Sequence, residues 1–255
     1  MFGAIAGDII GSIYEHYPIK TKAFPLFDER CCFTDDTVLT LAVADVLLNG
    51  GRYRDEFRHY YRRYPGAGYG GMFHRWARSA NPQPYNSFGN GSAMRVSPVA
   101  FVFDEIERVR QEAARSAEVT HNHPEGMRGA EATASAVFFA SLKMSKEEIR
   151  RYIEGEFGYD LSATPDEIRP HYGFDVTCQG TVPAAISSFL HADDFEDAVR
   201  NAISLGGDSD TLACITGAVA GAYYGIPPSI KEAALSRLDE HLQSVTKQFA
   251  DRFHC

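Results

Sequence analysis

Cysteine and tryptophan are scarce in this chain of 255 residues. It contains 5 cysteines and a single tryptophan. The cysteines stand at positions 31, 32, 178, 214 and 255, an odd number that includes no Cys-x-x-Cys pair. We therefore expect neither a disulfide framework nor a thiolate zinc site, and a reducing compartment is the natural interpretation.

Basic residues are also fewer than acidic ones. The 25 Lys and Arg residues are outnumbered by 34 Asp and Glu residues, which gives a formal net charge of −9. A protein that holds DNA, RNA or an anionic membrane non-specifically needs a basic face, so strong nucleic-acid binding is not expected. A local basic pocket for a phosphate remains compatible with this balance.

Long apolar runs are absent from the sequence. The most apolar stretch, residues 212–226, is rich in glycine and alanine and too short to span a bilayer comfortably. Residues 1–15 lack a basic segment and include Asp8, so they match a signal peptide poorly. We expect a cytoplasmic protein that does not bind membranes, with a monomer as the default oligomeric state.

Helical periodicity dominates the patterns that are present. Residues 34–48 begin with capping residues, continue with one apolar face and end at Gly50-Gly51. Similar patterns predict further helices at 54–64, 71–79, 104–119 (with Asp104 as the cap), 125–142, 181–191, 195–205 and 209–224. The best strand candidate is 96–103, although Pro98 weakens it. The sequence thus predicts an all-α protein with ten or more helices.

Two local signals refine this prediction. The pairs Ser145/Glu148 and Ser229/Glu232 both match the capping box, in which each side chain satisfies a free amide at a helix start. No linker or low-complexity segment divides the chain, so we expect a single domain over residues 1–255. Small residues on successive turns suit a central helix of a compact orthogonal bundle: Ala213, Gly217, Ala218, Gly221 and Ala222.

Two acidic clusters stand at predicted helix starts. The first is Thr34-Asp-Asp-Thr37, and the second is Gly206-Gly-Asp-Ser-Asp-Thr211. Helix capping alone would need one such residue per helix, whereas adjacent carboxylates repel each other unless a cation lies between them. Carboxylate and hydroxyl oxygens without nearby His or Cys suit Mg²⁺ or Mn²⁺. Together the clusters could hold two ions that activate a water molecule.

Three weaker signals leave alternatives open. On a helix, Asp8, Gly11 and Glu15 would share a face, which is either a solvated stripe or a buried surface whose carboxylates need partners. The glycine-rich segment 86–95 is either a phosphate-binding loop or a surface turn, and Gly68-Tyr-Gly-Gly71 is a weaker example. The pair His121 and His123 could bind zinc, but a hydrogen-bonding loop at a cleft is favoured.

These motifs together resemble the ADP-ribosylglycohydrolase family. The match consists of Gly3-Ala-Ile-Ala-Gly-Asp8 with Gly11 and Glu15, Phe33-Thr-Asp-Asp-Thr37, Gly89-Asn-Gly-Ser-Ala-Met-Arg-Val-Ser-Pro98, Thr120-His121 and Gly206-Gly-Asp-Ser-Asp-Thr211. Each motif alone is weak, whereas the set in this order is specific and covers most of the chain. The resemblance implies an all-α orthogonal bundle with a binuclear Mg²⁺ or Mn²⁺ centre at the base of an ADP-ribose cleft.

The resemblance also implies roles for particular residues. Metal ligands would be Thr34, Asp35 and Asp36 from one side and Asp208, Asp210 and Thr211 from the other. Ser87, Phe88, Gly89, Asn90 and Gly91 would hold the diphosphate and proximal ribose, with His121 close by. Asp36 is the preferred general acid/base and Glu15 the second choice; Glu15 would otherwise serve as a gate or alternative ligand. Phe88 stands where some relatives would have tyrosine, which keeps a ring but removes a hydroxyl.

The implied reaction is hydrolysis of the glycosidic bond between ADP-ribose and an acceptor, with ADP-ribose as product. The substrate would be an ADP-ribosylated protein or a small-molecule conjugate, and the acceptor linkage stays open. A catalytically silent ADP-ribose-binding or structural member is the alternative. Two other helical classes are disfavoured because the chain has no His-Asp pair of an HD-type phosphohydrolase and has Leu39 where an isoprenoid synthase needs its last aspartate.

Overall fold

Helices make up the regular structure of residues 1–254, the part of the chain that the computed structural model describes. These residues contain no strand, which confirms the prediction of an all-α fold. In the same range, no helix has the length and apolar character needed to cross a membrane. The α-helices are α1 Phe2–Gly11, α2 Asp35–Asn49, α3 Tyr53–Arg63, α4 Gly71–Arg78, α5 Gly91–Met94, α6 Ile106–Glu118, α7 Pro124–Ser141, α8 Lys146–Phe157, α9 Pro165–Ile168, α10 Cys178–Leu190, α11 Phe195–Ser204, α12 Ser209–Tyr224, α13 Pro228–Leu235 and α14 Glu240–Phe253.

Local capping signals are confirmed at two helix starts. Thr34 precedes α2, and its hydroxyl accepts a hydrogen bond from the amide of Asp36. Ser145 and Glu148 form the expected reciprocal capping box at the start of α8. Both signals depend only on residues within one turn of each other, so the sequence is sufficient to predict them.

Four local predictions are wrong. Residues 96–103 form a 3-10 helix over Ser97–Phe101 rather than a strand, because Pro98 fits the first turn of a helix but cannot donate to a sheet. α13 begins at Pro228, so Ser229 lies inside the helix and forms no capping box. Glu105, not Asp104, precedes α6. α10 begins at Cys178, three residues before the predicted start, and contains Pro183 within its first turns.

Helix α12 lies at the centre of the molecule and packs against α1, α7, α10 and α11. Every residue from Ser209 to Ala220 is buried. Its closest neighbour is α1, where glycines allow the two backbones to touch. A Cβ atom at Gly7 would lie 1.9 Å from the carbonyl oxygen of Ala213, and one at Gly11 would lie 2.4 Å from that of Ser209. The end of α1 is therefore held against the start of α12.

Candidate active site

The buried carboxylate of Asp8 organises the start of α2. Its Oδ1 accepts a hydrogen bond of 2.7 Å from the Thr34 hydroxyl, and its Oδ2 accepts bonds of 3.0 Å from the amides of Thr34 and Thr37. The Thr37 hydroxyl donates to the same Oδ2. Because α1 also contacts α12, Asp8 ties the first acidic cluster to the helix that carries the second.

In the first acidic cluster, capping uses only one residue. Thr34 caps α2, while the amide of Asp35 donates to the carbonyl of Ala67 at 2.6 Å. The Asp36 side chain is buried, and its Oδ2 has no hydrogen-bond partner in residues 1–254. Buried polar atoms in folded proteins nearly always have a partner, so this oxygen is available for a ligand.

The second acidic cluster is also not accounted for by capping. Asp208 precedes α12 but makes no side-chain capping bond, and Asp210 accepts a bond of 2.9 Å from the amide of Thr211. The Thr211 hydroxyl lies 3.4 Å from Oδ1 of Asp36, to which it donates. Asp36 and Thr211 are 175 positions apart in the chain, yet the two clusters meet side by side.

Glu15 reaches this site by a route that the sequence did not indicate. α1 ends at Gly11, so Glu15 lies in the following turn and not on a helical face shared with Asp8. One carboxylate oxygen from each of Glu15, Asp208 and Asp210 lies within 4.8 Å of the other two, a grouping that could hold a metal ion. The turn thus adds a carboxylate to the second cluster.

Glu15 and residues of both acidic clusters face one cavity of about 480 Å³. That volume lies within the usual range for small-molecule and cofactor sites. Of the residues singled out from the sequence, the cavity is lined by Glu15, Thr34, Asp35, Asp36, Ser87, Gly89, Asn90, Gly91, His121, Asp208, Asp210 and Thr211. The shared cavity brings the two acidic clusters and the glycine-rich segment into one site.

The concentration of carboxylates makes their ionisation unfavourable without a cation. Burial raises the pKa of Asp36, and the nearby Asp8 and Asp35 raise it further. Burial and the charge of Asp36 likewise raise the pKa of Asp210 well above its ordinary value. The pKa of Glu15 is raised by burial and by Asp208.

These residues fit a hard divalent cation. The donor set consists of carboxylate and hydroxyl oxygens, which Mg²⁺ and Mn²⁺ prefer. The unpartnered Oδ2 of Asp36 supplies a buried acceptor that no protein donor uses among residues 1–254. A divalent cation would also relieve the repulsion that raises the carboxylate pKa values.

The glycine-rich segment is joined to the second acidic cluster by Asn90. Its side-chain amide donates to Oδ2 of Asp208 at 2.7 Å and to the hydroxyl of Thr181 at 3.1 Å. Its backbone amide donates to the carbonyl of Val176 at 2.8 Å. The segment is therefore a fixed wall of the cavity and not a free surface turn.

Of the five predicted binding residues 87–91, Phe88 is the one that does not line the cavity. Its side chain is 45% exposed, and its ring lies 5.4 Å from that of His123. Its carbonyl accepts a hydrogen bond of 2.9 Å from the amide of Cys178. The backbone of Phe88 thus helps to shape the loop, while its ring lies outside the cavity.

The two histidines of the 120–125 loop have separate roles. His121 is buried and lines the cavity. His123 caps α7 through its Nδ1, which accepts a bond of 3.1 Å from the amide of Glu125. The interpretation as a hydrogen-bonding loop at a cleft agrees with this arrangement, since the two rings serve different partners.

Some residues that line the cavity belong to no motif in the sequence. Met72, Arg75 and Tyr85 are such residues, so only the tertiary structure could place them. Gly68, Gly70, Gly71 and Arg95 also line the cavity. The glycines belong to the weaker loop motif and Arg95 to the glycine-rich segment, although the sequence predicted no role for Arg95.

An all-α protein with an acid-lined cavity, closed on one side by a glycine-rich loop, defines the class to which this chain belongs. The family model described as ADP-ribosylglycohydrolase matches residues 1–254. The chain is a member of the ADP-ribosylglycohydrolase family.

Individual relatives agree with this assignment. The chain is 28% identical to the ADP-ribosylhydrolase ARH3 of Gallus gallus, over 91% of this chain and 86% of the relative. It is 27% identical to the ADP-ribosylarginine hydrolase Tri1 of Pseudomonas putida, over 99% of this chain and 77% of the relative. A solved structure titled ADP-ribosylglycohydrolase-related protein complex superposes with a TM-score of 0.72 at 25% identity, covering 98% of this chain and 96% of that one.

Proposed function

We propose that this protein is a metal-dependent hydrolase that cleaves the glycosidic bond between ADP-ribose and an acceptor and releases ADP-ribose. The observation that carries the proposal is the meeting of two distant acidic clusters on the wall of one cavity. The names of the relatives support the same reaction class, since both denote hydrolases of ADP-ribosyl groups.

The proposed metal ligands are the oxygen donors of the two clusters. Two Mg²⁺ or Mn²⁺ ions would be held by Thr34, Asp35, Asp36, Asp208, Asp210 and Thr211, with Glu15 adjoining the second cluster. Once bound, such ions supply Lewis acidity, orient the hydroxyls of a ribose and lower the pKa of a bound water.

The proposed binding wall for the rest of the substrate adjoins the second acidic cluster. Ser87, Phe88, Gly89, Asn90 and Gly91 would hold the diphosphate and proximal ribose together with His121. Support comes from the rigid attachment of this wall, because Asn90 is hydrogen-bonded to Asp208 in the acidic cluster. A substrate bound along the wall would have its far ribose directed toward the carboxylates.

The reaction breaks the bond between the anomeric carbon and the acceptor atom, and a water oxygen forms the new bond to that carbon. Positive charge develops on the ribose, and the surrounding carboxylates stabilise it. We assign the proton transfers to Asp36, whose buried carboxylate lies where the two acidic clusters meet, 3.4 Å from the Thr211 hydroxyl. Such a group can take a proton from water and return one to the departing acceptor, and Glu15 is the second candidate.

The acceptor is to be identified by assay against linkage-defined substrates. The panel contains ADP-ribose joined to arginine, to serine, to a nucleic-acid end and to a small ester, each incubated with purified protein and Mg²⁺ or Mn²⁺. We expect release of free ADP-ribose, measured by chromatography, from at least one member. Binding of ADP-ribose with no turnover of any member would instead identify a catalytically silent family member.

Variants connect the activity to the clusters. Asp35→Ala and Asp210→Ala should each lower turnover by at least about 100-fold while the helical circular dichroism is retained, because each removes a proposed ligand. Asp251→Ala, an exposed change on α14, is the matched control and should behave as the unaltered protein. Full activity of both cluster variants at saturating metal would contradict the metal assignment.

A further inference from the structure

Arg95 is a fully buried cation that borders the substrate cavity. Its Cζ lies 4.2 Å from the centre of the Phe57 ring. Its Nη2 donates to the carbonyl of Ser116 at 3.1 Å and to the hydroxyl of Thr120 at 2.9 Å, whereas its Nε and Nη1 have no partner in residues 1–254. A buried charge with so few partners is costly, which suggests that it is retained for a purpose beyond packing.

Thr120 links this cation to His121. Its hydroxyl oxygen accepts from Arg95 and lies 2.8 Å from Nδ1 of the His121 ring. A hydroxyl has a single proton to donate, and donation to Nδ1 leaves the imidazole proton on Nε2. The positive charge of Arg95 favours the same state, because the Nδ1 lone pair is then on the ring edge that faces Thr120 and Arg95.

The other tautomer of His121, with its proton on Nδ1, is electrostatically less favourable. In that arrangement His121 would donate from Nδ1 to the Thr120 oxygen, and the Thr120 proton would be turned away from the ring. That state would turn the positive end of an N–H dipole toward the buried guanidinium. Burial and Arg95 already lower the pKa of His121 well below its ordinary value, so the ring is neutral near pH 7 and the tautomer decides which edge donates.

The other edge of the His121 ring faces the glycine-rich wall. A Cβ atom at Gly91 would lie 3.3 Å from both Cε1 and Nε2 of His121, and one at Gly89 would lie 3.7 Å from Nε2. Nε2 therefore lies against the glycine-rich wall, at a point where His121, Gly89 and Gly91 all line the cavity. A proton on Nε2 makes this edge a donor to an anionic oxygen, whereas a lone pair there would repel one.

We propose that Arg95 and Thr120 are positioning residues that hold His121 in the tautomer with its proton on Nε2, directed at the phosphate-binding side of the cavity. This relay, from Arg95 through Thr120 to His121, rests on the proposed function, because the anion that His121 would bind is the diphosphate of ADP-ribose. Arg95 and Thr120 act through His121 and need not touch the substrate.

The tautomer can be measured in the protein without ligand. Nitrogen-15 chemical shifts and two-bond couplings of the labelled His121 ring, read by long-range correlation NMR, distinguish a proton on Nε2 from one on Nδ1. We expect the Nε2–H form in the unaltered protein. A proton on Nδ1 would overturn the relay whatever the enzymatic activity, and this measurement needs no variant that has to fold.

Two substitutions at Thr120 then test the connection. Thr120→Val removes the hydroxyl and keeps the branched shape, while Thr120→Ser keeps the hydroxyl. We expect Thr120→Val to mix the His121 tautomers and to raise the ADP-ribose Kd, measured calorimetrically, by roughly ten-fold, the usual scale for one charge-assisted hydrogen bond. Thr120→Ser should restore both readouts.

A double-substitution cycle separates the relay from simple packing. In a His121→Phe background, Thr120→Val should produce no further change in ADP-ribose Kd, because the group through which it acts is gone. Full additivity, or an unchanged tautomer in Thr120→Val, would overturn the proposal. Failure of the unaltered protein to bind ADP-ribose would count against the proposed function instead, since the tautomer is read without ligand.

Discussion

Asp8 and Asp36 are both buried carboxylates, but their surroundings give them different roles. Asp8 accepts four hydrogen bonds from Thr34 and Thr37, which satisfy both of its oxygens. The Oδ1 of Asp36 accepts a long hydrogen bond of 3.4 Å from Thr211, and its Oδ2 has no hydrogen-bond partner among residues 1–254. A carboxylate with its hydrogen bonds filled holds structure, whereas one with an open oxygen can bind a cation or move a proton.

The raised carboxylate pKa values imply a pH dependence of stability in protein freed of metal by chelator. A folded-state pKa above the unfolded one contributes stability that is present below the unfolded pKa and is lost as the pH rises through the folded pKa. Asp210 is such a group, because burial and Asp36 raise its pKa. We therefore expect Asp210→Asn to melt above the unaltered protein at pH 8 by roughly 3–6 °C. This difference in melting temperature should narrow as the pH falls toward the unfolded-state pKa of about 4.

Comparing the unaltered protein with Asp210→Asn separates the effect of the Asp210 carboxylate from that of the other titrating groups. His121 and His241 have lowered pKa values from burial and would destabilise the fold below about pH 6.5, but both proteins contain them. With saturating Mg²⁺ or Mn²⁺, we expect the order at pH 8 to reverse, because the ions need ionised ligands. If the difference in melting temperature between Asp210→Asn and the unaltered protein did not change with pH under chelator, the raised pKa assigned to Asp210 would be contradicted.

Among the helices, the contact between α1 and α12 decides whether the site can form. Their backbones approach so closely that residues 3, 7 and 11 have no space for a side chain. This approach places Asp8, which anchors α2, beside the helix that carries Asp210 and Thr211. The separation of the two acidic clusters is therefore set by a stripe of glycines outside the cavity.

We expect Gly7→Ala to destabilise the protein by about 3 kcal/mol or more, because overpacking in a rigid backbone contact forces the helices apart. The added Cβ would meet the carbonyl oxygen of Ala213 at 1.9 Å. Gly155→Ala in α8 is the matched control, since nothing lies within 4 Å of a Cβ there. It should be neutral or stabilise by up to about 1 kcal/mol. Equal urea midpoints for both variants would refute the close approach.

For the molecule as a whole, the cavity predicts that metal and ligand stabilise the fold together. Its walls come from segments throughout the chain, from Glu15 to Thr211, so a bound ligand cross-links them. Ligands that bind only the folded state raise the melting temperature by mass action. We expect ADP-ribose to raise it by several degrees with Mg²⁺ present and by much less with chelator, measured by scanning calorimetry.

The Asp35→Ala variant provides the control for this linkage. It should retain the helical fold and lose most of the Mg²⁺-dependent part of the ADP-ribose shift, because it lacks a proposed ligand. An equal shift with Mg²⁺ and with chelator in the unaltered protein would show that ADP-ribose binding does not need the metal.

Helix positions followed from the sequence to within a few residues wherever the signal was local. α12 has the predicted bounds, and Thr34 and Ser145 cap their helices as expected. Where a predicted element was wrong, the local signal allowed two structures and the tertiary contacts selected the other one. Pro98 was compatible with an edge strand or a helical first turn, and the surrounding helices selected the second.

The residues of the candidate site were recognisable as chemical groups, and their placement was not. Adjacent carboxylates at helix starts indicate oxygen ligands because such charges repel, and that argument needs no structure. By contrast, the turn that delivers Glu15, the bond from Asn90 to Asp208 and the chain from Arg95 to His121 join segments that are distant in sequence or lack any periodic signal.

The sequence by itself determined the helical class, most helix starts and the chemical nature of the two acidic clusters, because these depend on residues within one or two turns. Only the tertiary structure decided that the clusters share a cavity, that Asp8 is an anchor while Asp36 keeps an open oxygen, and which edge of His121 faces the glycine-rich wall. Those features arise from packing between helices, where a missing Cβ or a single buried hydrogen bond sets the distance.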